Sequence, residues 1–277
     1  MAFEHQGAGA LDYYPCRYGK SKLLFRGPQC ALDRPYIAAI GGTETYGKFV
    51  QDPWPYLIEQ ALEMPVANLG YLNAGVDVFL NDAEVGKMTR KAHVTIVQVL
   101  GAHNISNRFY AVHPRRNDRF LRASQLMQTV FNEIDFAEFN FTRHMLKTLQ
   151  RRAPDRFEEL VVELRKAWVS RMRLLLASSK GAVILLDIRD HRPLPLDSGL
   201  GCEPLLVTSR MLDEIKAGAD ALVTVRPSST SRAVGTAGMR FGPLEELAAT
   251  EMPGPMVHRE IADALLPVVK RLMAQRG

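Results

Sequence analysis

Five short runs rich in Val, Ile, Leu and Ala recur along the chain: Tyr36–Ile40, Val66–Leu69, Val94–Leu100, Ala182–Ile188 and Ala221–Val225. They are nearly continuous instead of alternating apolar with polar, so a strand made from any of them buries both of its faces. Between them lie segments with helical spacing, Pro55–Glu63, Asp118–Phe131 and Asp155–Ser179, and a last one, Met256–Gln275, closes the chain. Alternating strands and helices predict an α/β fold, a three-layer α/β/α sandwich around a five-stranded parallel sheet. Ligands are then expected in the crevice at the carboxyl ends of the strands. No Pro/Gly/Ser-rich linker and no fixed-period repeat divides the sequence. The expected organisation is an N-terminal arm over 1–35 and one domain over 36–277, with a mostly helical insertion at about 105–152.

Composition narrows the class. Of 277 residues, 47% are hydrophobic and 23% charged, which is ample material for a core. No run of about 18 apolar residues suggests a membrane span. The opening MAFEHQGAGALDYYPCRYGKS has no basic start followed by an apolar stretch, so no secretory signal is expected. The three cysteines, Cys16, Cys30 and Cys202, are far apart, which points to reduced thiols in a cytoplasmic protein and to no metal site. A net charge of +5 is mild, and no aromatic-and-basic motif supports nucleic-acid binding.

The segment IAAIGGTETYGKFVQDPWPYL, residues 37–57, follows the first run with two glycines and then Thr43, Glu44 and Thr45. Three chemistries compete for it. Gly42 to Lys48 fits G-x-x-x-x-G-K, the spacing of a phosphate loop, but Phe49 stands where Ser or Thr would hold magnesium, and Pro53 and Pro55 interrupt the helix such a loop needs. Alternatively, Thr43 or Thr45 simply caps backbone amides.

The third reading is a nucleophile turn, and it rests on four blocks in order: GGTET, VANLGYLNAGVDVFL, VTIVQVLGAHN and RMRLLLASSKGAVILLDI. Together they resemble the SGNH (GDSL-type) hydrolases. The resemblance implies Thr43 in the place of the nucleophilic serine, with Gly42 beside it. It implies Asn73 and Gly75 in the second block, with the Gly75 amide helping to hold an oxyanion. In the third block His103 occupies the asparagine column and Asn104 lies one place later. The family's last block, Asp-x-x-His, would fall near Ala249 and Met252, and His258 is the imidazole closest to it. His103 and His258 therefore both stand as candidate bases for Thr43. The signatures RYGKSKLLFRGP, GGTETYGKFV and FYAVHPRRNDRF also resemble, over nearly the full length, a bacterial family of unknown function.

Other polar clusters need weighing. RPSSTSR after the fifth run puts Arg226, Ser228 and further hydroxyls at a strand's carboxyl end, where they could cradle an anion or form an ordinary polar loop. His113, Arg115, Arg116 and Arg119 suggest a solvated face, and Arg143 with His144 could reach the crevice. The expected activity is acyl-ester hydrolysis or acyl transfer on a carbohydrate-type or other small-molecule ligand, with an anionic ligand left open and no cofactor. Two alternatives stand beside it: a non-catalytic binding domain, and a nucleotide-dependent sulfo- or phosphotransferase. A homo-oligomer is compatible with all three.

Overall fold

The structure, a computed structural model, describes residues 11–190 and 199–275. Its strands are β1 (Ile37–Gly41), β2 (Val66–Gly70), β3 (Val94–Gln98), β4 (Tyr110–His113), β5 (Arg116–Ala123), β6 (Ala182–Ile188) and β7 (Ala221–Val225). Its helices are α1 (Thr43–Tyr46), α2 (Trp54–Leu62), α3 (Val76–Leu80), α4 (Ala83–Lys91), α5 (Gln125–Val130), α6 (Thr142–Arg152), α7 (Pro154–Ala177), α8 (Ser209–Ile215), α9 (Ser229–Val234), α10 (Glu246–Thr250) and α11 (Pro255–Ala274). Each of the five apolar runs forms a strand. They make one parallel sheet in the order β2-β1-β3-β6-β7.

Successive side chains of a strand point to opposite faces, and the two cores divide accordingly. Ile37, Ala39, Ile96, Ile184 and Leu186 pack under α2 and α11, around Trp54, Ile58, Ile261 and Leu265. Ala38, Ile40, Val97, Val183 and Leu185 pack under α3, α4, α7 and α8, around Phe79, Trp168 and Met172. This is the expected three-layer α/β/α sandwich.

The interval from 105 to 152 departs from its mostly helical expectation. The stretch Asp118–Phe131 begins in β5, not in a helix, and only Gln125–Val130 is helical. The antiparallel hairpin β4–β5 turns at Pro114 and Arg115, and Tyr110, Val112, Asn117 and Phe120 face inward. Arginines outside and aromatics inside fit a half-buried ribbon better than a helix. This hairpin, α5, α6 and the first half of α7 share a third core around Phe131, Leu146 and Leu160.

The described part of the N-terminal arm is packed down. Tyr18, Leu23 and Phe25 enter the core beneath α3 and α4. The buried Arg26 guanidinium donates to the carbonyls of Tyr46 (3.2 Å), Gly47 (2.6 Å) and Gln51 (2.7 Å), and the Phe49 amide donates to the Tyr13 hydroxyl (2.9 Å). The arm thus fixes the loop that follows α1. Among the described residues, no helix is long and apolar enough to cross a membrane.

Candidate functional site

A cavity of about 640 Å3 opens at the carboxyl ends of β1 and β3. That position is where the strand order changes direction, since the chain runs from β1 outward to β2 and then back past β1 to β3. The strand ends and the turns after them supply its floor: Gly42, Thr43 and Glu44 after β1, and Gln98 at the end of β3 with Val99, Leu100, Gly101 and His103 after it.

Gln98 organises the floor. Its carbonyl oxygen accepts from the Gly42 amide (3.0 Å) and the Thr45 hydroxyl (2.5 Å), and its amide nitrogen donates to Glu44 Oε2 (2.9 Å). A Cβ at Gly41 would sit 2.0 Å from Thr45 Oγ1, so glycine there is what lets this turn close on Gln98. Thr45 is therefore a structural hydroxyl, whereas Thr43 faces the cavity.

The Thr43 hydroxyl accepts from the Asn73 amide (2.9 Å) and donates to Asn73 Oδ1 (3.4 Å). Asn73 adopts a left-handed conformation (φ 53°), which asparagine tolerates better than most residues. Its side-chain nitrogen points to Asp118 Oδ2 (3.4 Å), and its carbonyl accepts from Asn104 Nδ2 (3.4 Å). Asn104 Oδ1 in turn accepts from the Thr142 hydroxyl (2.6 Å). Thr43, Asn73, Asn104, Asp118 and Thr142 form one interlocked set drawn from five separate parts of the chain.

The structure brings together Gly42, Thr43, Asn73, His103 and Asn104, all of which line the cavity. Gly75 lies just behind them. A Cβ there would be 1.7 Å from the Asn104 carbonyl oxygen, so the two turns touch backbone to backbone. The Gly75 amide is not the oxyanion donor that the resemblance implied, because it donates to Asn117 Oδ1 (3.1 Å).

His258 is not brought to the cavity. It is fully buried on α11, and its Nδ1 accepts from the Trp54 amide (3.1 Å), capping the start of α2 from across the helix layer. Its neighbours Ile261 and Ala262 face the sheet, and the helical spacing carries His258 inward with them.

The anion-binding readings of the loops also change. In RPSSTSR, Arg226 pairs with Asp190, and the Ser228 amide (3.1 Å), Ser228 hydroxyl (2.5 Å) and Ser231 hydroxyl (3.2 Å) all donate to Glu260. A carboxylate of the protein itself fills that cradle. In the G-x-x-x-x-G-K turn, the amides of Tyr46, Gly47 and Lys48 donate back to the carbonyls of Gly42 and Thr43, and Lys48 pairs with Glu245 (3.5 Å). Those amides close a helical turn instead of facing a phosphate.

Sequence reasoning missed Glu44, Gln98, Asp118 and Thr142. The segment between 105 and 152 contributes Asp118, Phe141, Thr142, Arg143, His144 and Lys147 to the cavity wall, so Arg143 and His144 do reach the crevice. Arg143 is ion-paired with Glu203, and His144 packs edge-on against Phe139. Burial raises the Asp118 carboxyl above its ordinary pKa, against the opposing pull of Arg119, Arg116 and Asn73. Its signal is hidden in the sequence because the spacing of Asp118–Phe131 predicts a helix, whereas Asp118 lies on β5. Among the described residues, no group of three or more His, Cys, Asp or Glu side chains is arranged to hold a metal ion.

No curated protein sequence matches the chain. One family does match, over residues 1–273, and it carries the description "Domain of unknown function (DUF6473)". The chain, with its crevice between β1 and β3 walled by a hairpin and helix insertion, belongs to that family.

Proposed function

We propose that the crevice binds a polar small molecule of carbohydrate type. One observation carries this reading: Thr43, Asn73, Asn104, His103 and Asp118 line a single cavity of about 640 Å3 at the carboxyl edge of the sheet. A few convergent hydrogen-bonding groups in a pocket of this size suit a small ligand with several hydroxyls. Phe141, 42% exposed, adds apolar surface to the cavity wall, with the Arg119 guanidinium 4.4 Å over its ring.

A second reading, acyl-ester hydrolysis or acyl transfer in the manner of the SGNH hydrolases, is favoured by Thr43 and His103 sharing that cavity. It requires the imidazole to take the Thr43 proton, and the Thr43 hydroxyl now bonds to Asn73. A base must come within hydrogen-bond reach of its proton, so catalysis would need His103 to displace Asn73 from the hydroxyl once the substrate is seated.

The test has two arms. In the first, melting temperature is followed against a panel of mono- and disaccharides and their acetylated forms. A ligand that binds the native state raises it, by the equivalent of about 2.7 kcal/mol at a hundredfold excess over Kd. Thr43→Ala and Asp118→Asn are expected to abolish the shift. In the second arm, hydrolysis of an activated acetyl ester is measured for wild type, Thr43→Ala, His103→Ala and His258→Ala. Loss of turnover by orders of magnitude in Thr43→Ala and His103→Ala, with His258→Ala keeping its rate per folded molecule, supports the hydrolase. Thermal shifts without turnover support binding alone. Silence in both arms overturns both readings.

A further inference from the structure

Two apolar surface features lie outside the lining of the crevice, and each is uncovered among the described residues. The first is a knob. Leu244, 101% exposed, lies in the 3-10 turn Pro243–Glu245, and Leu247, 80% exposed, lies three residues on in the first turn of α10. That spacing puts both on one face. The turn is anchored from below: Ala249 is fully buried, the Gly242 amide donates to Glu245 Oε2 (3.3 Å), and Glu245 is tied to Lys48 (3.5 Å). Two leucines are therefore held out rigidly, with the exposed Glu246 between them.

The second feature is a groove of about 790 Å3 between α7 and α8. Its apolar surface includes Val162, 46% exposed, and Leu174, 58% exposed. Its rim carries Arg165, Lys166, Arg173 and Arg210 against the single acid Glu214, which Arg173 and Arg210 both approach at 3.7 Å. Four cations around one carboxylate leave the groove positive. The knob is apolar and carries the exposed carboxylate of Glu246, and the groove is apolar with a positive rim, so the two surfaces of one chain complement each other in chemistry and in charge.

We propose that the groove between α7 and α8 receives the Leu244–Leu247 turn of a second copy of this chain. The contact joins two different surfaces, so it is head-to-tail and builds either a closed ring or an open chain of copies. Neither Leu244 nor Leu247 lines the crevice, although Ala248 and Lys48 beside them do.

Sedimentation velocity of the full chain over a concentration series tests it. Wild type is expected to show a mass that grows with concentration. A knob variant, Leu244→Asp with Leu247→Asp, and a groove variant, Arg173→Asp with Leu174→Asp, should each self-associate at least tenfold more weakly, with unchanged circular dichroism and melting temperature. All four substituted side chains are exposed or lie at the rim of the groove, so folding is preserved. Each variant keeps one intact surface, so an equimolar mixture should form dimers and nothing larger. The proposal is overturned if wild type stays monomeric into the sub-millimolar range. It is also overturned if either variant associates like wild type, or if the mixture stays monomeric while wild type associates.

Discussion

Asn117 carries a structural task that can be measured. It is fully buried on β5, its Oδ1 accepts from the amides of Gly75 (3.1 Å) and Val78 (3.1 Å), and its Nδ2 donates to the His113 carbonyl (3.0 Å). Gly75 is the N-cap position of α3, so a residue of the hairpin caps that helix from outside and pins the turn that holds Asn73. Asn117→Ala strands two buried donors, each costing about 1–3 kcal/mol when left unsatisfied, whereas the half-buried His113 carbonyl can turn to water. The expected loss is about 3 kcal/mol. At about 2–4 °C of melting temperature per kcal/mol, that is a fall of about 6–12 °C. Urea unfolding of Asn117→Ala, with the exposed neighbour Arg116→Ala as control, reads the difference directly. The control should lie within about 0.5 kcal/mol of wild type. Hydrogen exchange should also show faster exchange at Gly75 and Val78. If Asn117→Ala is within about 0.5 kcal/mol of wild type, or those amides keep their protection, the hairpin does not hold the α3 turn and the reasoning fails.

Two further outcomes follow from the same region. Asp118 has its folded pKa raised above its ordinary 3.8, chiefly by burial, so its stabilising effect is complete below that pH and is lost as pH rises through the folded value. Asp118→Asn should therefore melt at or above wild type at neutral pH, and the gap should close on acidification; a gap that widens toward acid pH refutes this assignment. Gly75→Ala places a Cβ 1.7 Å from the Asn104 carbonyl oxygen, so backbone must move, at a cost of about 3 kcal/mol or more in urea unfolding, and an unperturbed variant would show that the two turns are not in contact.

The five apolar runs determined the sheet without help. A strand buried on both faces needs helices above and below, and the hydrophobic effect enforces that wherever such runs recur. That Thr43, Asn73, His103 and Asn104 line one cavity was legible for a related reason, because residues just past the ends of parallel strands share one edge of the sheet. The sequence could not decide what those side chains do once there. His258 has the chemistry of a base, but its helical phase turns it inward to cap α2. Gly75 has a free-looking amide until Asn117, 42 residues away in sequence, takes it. The hydroxyls and arginine of RPSSTSR fit an anion until Glu260 and Asp190 supply the negative charge from within. Hydrogen-bond partners that lie far apart in the chain leave no local pattern, and the interlocked Thr43–Asn73–Asn104–Asp118–Thr142 set exists only because the hairpin and α6 fold back over the ends of β1 and β3. The sheet and the edge that carries the cavity were therefore determined by sequence, through burial, whereas the occupancy of each donor and acceptor was decided by tertiary structure, through contacts that no short stretch contains.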